Sequence, residues 1–293
     1  MYRMILVLLV VSCAWLAEAQ RDFDAVEVQV VSVADGVHML VGAGGNIGVS
    51  VGEDGTFLVD DQFAPLTEKI LAAVRTITPE PVRFIVNTHF HGDHTGGNEN
   101  LGKQGSIIVA HDNVRKRMST EQVRKILRQD TTPASPPDAL PKITFADGVT
   151  FHWNGDTIRV FHVDPAHTDG DSIIHFTNAN VFHMGDTFFR GRYPFIDVDF
   201  GGRVDGVIAA ADAVLSMARP TTKLIPGHGE LATPEDLRRY RDMLSDIRDR
   251  VQTLIDEGKS IDEVVAAKPA AQYDTEFGED ERFVRSVFYS LTL

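Results

Sequence analysis

Seven side chains that can bind metal ions or transfer protons stand out in the sequence. Four of them fall within six residues of one segment, residues 87–97, as His89, His91, Asp93 and His94. Imidazole nitrogens and carboxylate oxygens are ligands that zinc takes in proteins. Two histidines two positions apart, His89 and His91, project to the same side of an extended segment, and Asp93 continues that alternation. This histidine-rich segment therefore predicts a metal site.

The histidine-rich segment alone cannot complete two metal sites, so a second metal ion needs ligands from elsewhere in the chain. Three further candidates, His167, Asp186 and His228, each lie in a glycine-containing turn after a predicted strand. Strand ends that lead into such turns are where a sheet presents functional side chains. These three residues are therefore the candidate distant ligands.

The elements that must position these residues are strands in runs, mixed with helices. Alternating and β-branched segments predict strands at 26–33, 37–41, 47–51, 56–60, 82–87, 106–110, 149–153, 157–163, 172–177, 181–184 and 223–226. Helices are predicted at 66–75, 112–129, 204–218 and 283–291, with two more that begin after Thr233 and Ser260. The proline-rich stretch 131–141 predicts a loop. This order favours two sheets covered by helices over a single parallel sheet.

The first nineteen residues have the pattern of a secretory signal. An apolar run follows Arg3, and Ala17-Glu18-Ala19 matches a cleavage site before Gln20. We therefore expect a signal peptide at 1–19, a single domain at 20–293, and export to the periplasm or the medium. The alternatives are a buried N-terminal helix and a lipid anchor at Cys13.

Composition narrows the chemistry further. Cys13 is the only cysteine, so a mature chain that starts at Gln20 has no thiolate for catalysis or metal binding and no disulfide. The net charge of −14 argues against binding to nucleic acid, because no basic tract offsets it. We expect a small-molecule substrate and no membrane anchor after cleavage. The oligomeric state is not determined by these patterns.

The pattern His-x-His-x-Asp-His, followed in order by a histidine, an aspartate and a histidine, resembles the metallo-β-lactamase superfamily. The resemblance extends from Asp60 to His228. It implies an α+β fold, a four-layer αββα sandwich, with two zinc ions along one edge. The ligands of one ion would be His89, His91 and His167, and those of the other Asp93, His94 and His228, with Asp186 as the bridge.

The resemblance also assigns a role to an aspartate outside the ligand set. Asp60, at the end of a predicted strand, matches the superfamily residue that accepts a hydrogen bond from a ligand histidine and orients it. Asp61 is the alternative, because only one of two adjacent strand residues can face inward. The other histidines are interpreted as structural or surface groups, although His183 could contact a residue that orients a ligand.

The implied activity is metal-assisted hydrolysis, in which a hydroxide that bridges two metal ions attacks a small carbonyl substrate. Asp93 would hold the nucleophile and stabilise the departing atom, which makes it the candidate catalytic residue. The bridging Asp186 resembles glyoxalase II-like thioesterases, lactonases and phosphodiesterases more than dedicated β-lactamases. We expect a lactone, ester or amide substrate, with β-lactam hydrolysis as an additional activity.

Three alternatives use the same scaffold: a phosphodiesterase on the same two metal ions, an iron-dependent persulfide dioxygenase, and a non-catalytic binding protein. The complete ligand set disfavours the last two. Three loops, at 42–47, 131–141 and 188–196, are predicted to wall the substrate pocket. In the third loop, the candidate substrate-binding residues are Phe189, Arg190, Arg192 and Tyr193. Alternatively, Phe188 and Phe189 belong to the core and the arginines face solvent.

Overall fold

A computed structural model of the chain describes residues 22–279 and 281–293. The predicted signal peptide and Cys13 therefore lie outside the described residues. The strands are β1 Gln29–Ala34, β2 Val37–Val41, β3 Ile47–Ser50, β4 Thr56–Val59, β5 Val82–Val86, β6 Ile107–His111, β7 Gln122–Arg124, β8 Asp130–Thr132, β9 Ile143–Phe145, β10 Gly148–Trp153, β11 Asp156–His162, β12 Ser172–Phe176, β13 Val181–His183 and β14 Lys223–Ile225. The helices are α1 Thr67–Arg75, α2 Gly92–Thr95, α3 Asn98–Lys103, α4 Asp112–Met118, α5 Val204–Met217, α6 Pro234–Asp256, α7 Ile261–Ala266, α8 Asp274–Phe277 and α9 Glu281–Thr292.

Two sheets carry the fold. The first has seven strands in the order β1-β2-β3-β4-β5-β6-β9, and the second has five in the order β10-β11-β12-β13-β14. Strands β1 to β4 pair antiparallel, whereas β4, β5, β6 and β9 pair parallel. In the second sheet only β13 and β14 pair parallel. The parallel strands of each sheet end on the same side, which is where a site can form.

The sheets and helices stack in layers because each buries an apolar face against its neighbour. Side chains such as Phe57 and Val109 of the first sheet and Val160 and Phe176 of the second form one buried cluster between the sheets. Helix α1 packs on the outer face of the first sheet, where Ile70 is buried. Helices α5, α6, α7 and α9 cover the outer face of the second sheet. The predicted four-layer αββα arrangement is confirmed.

The predicted helix at 112–129 is wrong beyond its first two turns. Helix α4 ends at Met118, and the chain then forms a hairpin of β7 and β8. Long-range contacts favour the hairpin, since the backbone N–H groups of Lys125 and Ile126 donate to the Asp199 carboxylate. The loop predicted at 131–141 is also shortened, because it contributes Thr131 and Thr132 to β8 and a short 3₁₀ turn at Pro137–Ala139.

The capping signals, in contrast, appear as predicted. Thr233 caps α6 and Ser260 caps α7, each in a reciprocal capping box.

Strand β9 at Ile143–Phe145 has no counterpart among the predicted strands. Among the residues that the structure describes, no helix is long and apolar enough to cross a membrane.

Candidate metal centre

Loops that follow strand ends bring all seven candidate ligands to one edge of the two sheets. The histidine-rich segment follows β5, the turn with His167 follows β11, Asp186 follows β13, and His228 follows β14. His94 and Asp93 lie on the single-turn helix α2 within the segment. Sequence-distant ligands therefore converge because the parallel strands β4–β5 and β13–β14 end on the same side.

The ligand atoms form two groups. His89, His91, His167 and Asp186 make the first, and Asp93, His94 and His228 make the second; within each, one ligand atom per residue lies within 4.8 Å of the others. In the first group, His167 Nε2 lies 2.9 Å from His91 Nδ1. In the second, His228 Nε2 lies 3.4 Å from His94 Nε2 and 3.3 Å from Asp93 Oδ2.

Asp186 lies between the two groups and faces both. Its Oδ2 is 3.4 Å from His167 Nε2 and 3.7 Å from His89 Nε2, in the first group. Its Oδ1 is 3.1 Å from His94 Nε2 and 3.4 Å from His228 Nε2, in the second group. A carboxylate whose two oxygens point at separate ligand groups has the geometry of a bridge between two metal ions.

Two glycines let the backbone approach these ligands. A Cβ at Gly227 would lie 2.1 Å from Asp186 Oδ1, and a Cβ at Gly45 would lie 2.1 Å from His94 Cε1. No side chain fits at such distances. The loops that carry these glycines therefore close directly over the ligands, and any larger residue would displace them.

Asp60 orients one histidine in each group. Its Oδ2 accepts from His94 Nδ1 at 2.7 Å and from Thr88 Oγ1 at 2.8 Å, while its Oδ1 accepts from the Thr88 backbone N–H at 2.8 Å. The same Thr88 hydroxyl lies 3.0 Å from His89 Nδ1. A hydroxyl that donates to Asp60 accepts from His89, so both Nδ1 atoms carry protons and both Nε2 atoms are free to bind metal. Asp61 instead accepts from the Gly97 backbone N–H.

Asp197 is a functional contact that sequence reasoning missed. Its buried carboxylate accepts from His91 Nε2 at 2.8 Å and from Arg124 Nε at 3.0 Å, which leaves His91 Nδ1 facing the first group. His167 is held differently, since its Nδ1 donates to the Phe195 backbone oxygen at 2.6 Å. No short motif marks Asp197, which lies 106 residues after His91. The local feature of the sequence that points to it is its position directly after the loop at 188–196.

His183 supports the turn that carries Asp186. Its Nδ1 accepts from the Gly185 backbone N–H, and its Nε2 donates to the Asn46 backbone oxygen at 3.0 Å. Burial lowers the pKa of His183 to about 4, so the ring is neutral at pH 7. It therefore ties the turn at Asp186 to the loop at 42–47 without adding charge.

The charges of the centre stabilise ionised carboxylates. Burial raises the pKa of Asp186, but the neighbouring imidazole groups of His94, His228 and His167 outweigh this effect and hold that pKa well below its ordinary value. Burial likewise raises the pKa of Asp93, and His94 and His228 more than reverse the effect. Both aspartates are therefore carboxylates near neutral pH, the form that binds metal ions.

The residues present fit a pair of divalent metal ions. His89 Nε2 is buried and has no hydrogen-bond partner within the described ranges, although it faces three other ligand atoms of its group. A buried polar atom without a partner is costly, and a metal ion would satisfy it. Imidazole and carboxylate donors without thiolate suit zinc and other borderline divalent ions.

Comparison with known proteins agrees with this geometry. The model of the metallo-beta-lactamase superfamily matches residues 40–242. The chain belongs to the metallo-β-lactamase superfamily. The match includes every candidate ligand and the strands that position them.

The individual relatives share little sequence identity with this chain. The alpha subunit of 2,4-dinitroanisole O-demethylase from Nocardioides sp. (strain JS1661) is 25% identical over 51% of this chain and 43% of its own length. Hydroxyacylglutathione hydrolase from Pelagibacter ubique (strain HTCC1062) is 27% identical over 37% of each chain. Both matches thus span less than half of those relatives. A metallo-beta-lactamase from Pontibacter korlensis superposes with a TM-score of 0.62 at 17% identity, over 75% of this chain and 100% of its own, and shares the fold.

A cleft of about 1360 Å³ opens beside the ligands, and residues from all three predicted loops line it. Asp93 is 31% exposed and His228 14%, so these two ligands face the cleft most openly. Apolar side chains of β1 and β2, including Val31 and Met39, line another part of the wall. The cleft therefore offers a substrate both apolar surface and access to the second ligand group.

The four candidate substrate-binding residues all line this cleft but differ in their contacts. Phe189 stacks on the ring of His228, with 5.1 Å between the ring centroids. The Arg192 guanidinium lies over the Phe189 ring, 5.2 Å from its centroid. Arg190 pairs with Glu230 and Asp236 and is thereby neutralised. The Tyr193 hydroxyl donates to Asp274 Oδ1 at 2.9 Å and so is held by the protein.

Proposed function

We propose that the chain is a metal-dependent hydrolase that binds two zinc ions and cleaves a small carbonyl substrate, a lactone, ester or amide, with β-lactams among the possible substrates. The position of Asp186 carries this proposal, because its two oxygens face separate ligand groups. A carboxylate that faces two ligand groups suits two metal ions, one in each group, because a single ion would need the ligands of only one group.

When bound, two such ions supply an acidified water as nucleophile and polarise the substrate oxygen. The protein's own side chains orient the metal ligands and the nucleophile. Asp60 and Asp197 fix the tautomers of His94 and His91, so that ligand atoms face inward before substrate binds. Asp93, a carboxylate open to the cleft, would hold the nucleophile in place through its negative charge and stabilise the departing atom.

The carbonyl assignment has two supports. The name of the Pelagibacter relative, hydroxyacylglutathione hydrolase, describes hydrolysis at an acyl group. The cleft also combines apolar walls with the open carboxylate of Asp93, as a site for small organic substrates does.

We also propose export, on the basis of the signal-like pattern at 1–19. N-terminal sequencing of the protein from the native host would test the cleavage before Gln20.

Metal analysis and a substrate panel test the main proposal. We expect about two zinc ions per chain after reconstitution and metal-dependent turnover of lactones, aryl esters or nitrocefin. One iron per chain with oxygen consumption would overturn the hydrolase assignment. Turnover of bis(4-nitrophenyl) phosphate alone would move the assignment to phosphodiester hydrolysis.

A further inference from the structure

The hairpin of β7 and β8 forms one wall of the cleft but belongs to neither main sheet. Its strands make a separate two-stranded sheet, and its residues Arg124, Arg128 and Thr132 line the cleft. Val123 is 43% exposed and Ile126 37%, so part of the apolar surface of the hairpin faces solvent. A two-stranded hairpin is marginally stable on its own in water. Its position therefore depends on contacts with the rest of the protein.

Two aspartates that lie close together in the chain hold the hairpin on the protein. The Asp199 carboxylate accepts from the backbone N–H groups of Lys125 and Ile126, at 2.9 and 3.2 Å. Arg124 Nε donates to Asp197 Oδ2 at 3.0 Å. The first aspartate fixes the backbone of the hairpin, and the second binds a side chain that points from the hairpin towards the metal ligands.

The same oxygen of Asp197 also accepts a hydrogen bond from a metal ligand. His91 Nε2 donates to Oδ2 at 2.8 Å, and the other ring nitrogen, Nδ1, lies 2.9 Å from His167 Nε2 in the first group. Asp197 Oδ1 is buried and has no hydrogen-bond partner among the described residues. Two side-chain donors on one oxygen, Arg124 and His91, therefore set the direction of this carboxylate.

Arg124 is itself held firmly enough to fix Asp197. Its side chain is 10% exposed, its Nη1 lies 3.3 Å from Asp130 Oδ1 across the hairpin, and its guanidinium lies 5.0 Å from the ring centroid of Phe200. A planar guanidinium bound at its edge and on its face has little freedom to turn. Without it, Asp197 would be a buried carboxylate with His91 as its one donor, free to rotate about its Cβ–Cγ bond.

We propose that Arg124 is a positioning residue for the metal ion of the first group: through Asp197 it holds Nδ1 of His91 towards that group, and it thereby links metal binding to the docking of the hairpin. The inference rests on the proposed two-metal hydrolase and adds a residue that strengthens the binding of one ion. Groups that orient metal ligands commonly change metal affinity tenfold to a hundredfold when they are removed. Because linkage is reciprocal, the ion strengthens the docking of the hairpin by the same factor.

Calorimetric titration of metal-free protein with zinc tests the effect on the ion. In Arg124→Gln we expect one of the two zinc affinities to fall about tenfold and the other to change less than about twofold. Arg124→Lys keeps a cation that can reach Asp197 and should recover part of this loss. In a His228→Ala background, which removes a ligand of the second group, Arg124→Gln should cause the same loss, because the affected ion belongs to the first group.

Arg117→Gln is the matched control. The Arg117 guanidinium also lies 5.0 Å from the ring centroid of Phe200, but its carboxylate partner is Asp169 and not Asp197. Both zinc affinities should stay within about twofold of wild type in this variant. Unchanged zinc affinities in Arg124→Gln, or equal losses in Arg124→Gln and Arg117→Gln, would overturn the proposed role of Arg124.

Amide hydrogen exchange of the segment 122–132 tests the reciprocal effect. In wild type and in Arg117→Gln, zinc should slow exchange in this segment about tenfold, because the bound ion stabilises the docked hairpin. In Arg124→Gln the slowing by zinc should shrink to less than about threefold. Equal slowing in wild type and Arg124→Gln would show that the ion and the hairpin are not linked through this arginine.

Zinc binding and turnover together separate this inference from the proposed function. Wild type that binds two zinc ions but hydrolyses no compound of the substrate panel would refute the hydrolase proposal, and the zinc affinities of the variants would still decide the role of Arg124. Active wild type with equal zinc affinities in Arg124→Gln would refute the role of Arg124 alone. Wild type that binds no zinc would refute both.

Discussion

Asp60→Asn is the substitution that most directly tests how the metal centre is built. Asp60 is fully buried, and both of its carboxylate oxygens accept hydrogen bonds. Asparagine has nearly the same shape but only one acceptor oxygen. If that oxygen keeps the Thr88 backbone N–H, the amide NH₂ faces His94 Nδ1 at the 2.7 Å contact. Two donors then oppose each other.

The imidazole can relieve this conflict only by changing its tautomer, which moves the proton to Nε2. That atom faces Asp186 Oδ1 at 3.1 Å and belongs to the second ligand group. Loss of one hydrogen bond to a charged, buried acceptor costs about 1.5–3 kcal/mol. At about 1.4 kcal/mol per tenfold, metal affinity at the second group should fall roughly tenfold to a hundredfold.

The assay is calorimetric titration of metal-free protein with zinc, with metal content after dialysis against a weak chelator as a second readout. We expect weakened binding of one ion, with circular dichroism like that of wild type. Asp61→Asn is the control, because Asp61 Oδ1 accepts from Gly97 while its Oδ2 has no partner among the described residues. Burial raises the pKa of Asp61, so an amide there resembles the protonated acid. Zinc affinities in Asp60→Asn within threefold of wild type would refute the tautomer argument, as would equal losses in both variants.

Four further outcomes follow from the same contacts. His91→Ala should reduce activity to below roughly 1% with the fold retained, measured by turnover and circular dichroism. Asp186→Asn should lower the metal content of the dialysed protein from about two ions towards one, because one bridging oxygen is lost. Gly227→Ala should lower kcat/KM roughly a hundredfold, because its Cβ would displace Asp186. The fourth concerns pH: since burial depresses the pKa of His183 from 6.5 to about 4, the unfolded state binds more protons between these values, and stability is lost as pH falls through them. Its contribution between pH 7 and pH 5 is about 2 kcal/mol of unfolding free energy, measurable by urea denaturation of metal-free protein and absent in His183→Gln.

Each of these four predictions would be contradicted by a specific result. Full activity of His91→Ala would remove this residue from the centre, and unchanged metal content in Asp186→Asn would show that Asp186 does not bridge. Gly227→Ala with wild-type kinetics would mean that the loop moves freely away from Asp186. If wild type and His183→Gln lost equal stability between the two pH values, His183 would not be the group responsible.

Local signals explain what could be predicted from the sequence. The capping residues Thr233 and Ser260 act within three residues of their partners, so their motifs are visible in the chain itself. The ligand motif is equally compact, because four of its residues share one segment. The order of the elements, with strands in runs mixed with helices, predicted the two-sheet architecture, because strands that follow one another in the chain tend to pair in one sheet.

The tertiary structure decided the features that depend on distant partners. The hairpin of β7 and β8 replaces a helix because Asp199, more than seventy residues away, holds its backbone. The choice between Asp60 and Asp61 depends on a left-handed backbone at Asp60, with φ of 64°, which the alternation of a strand does not anticipate. The sequence thus determines which residues can bind metal, whereas only the fold determines which carboxylates orient them, because these contacts join segments far apart in the chain.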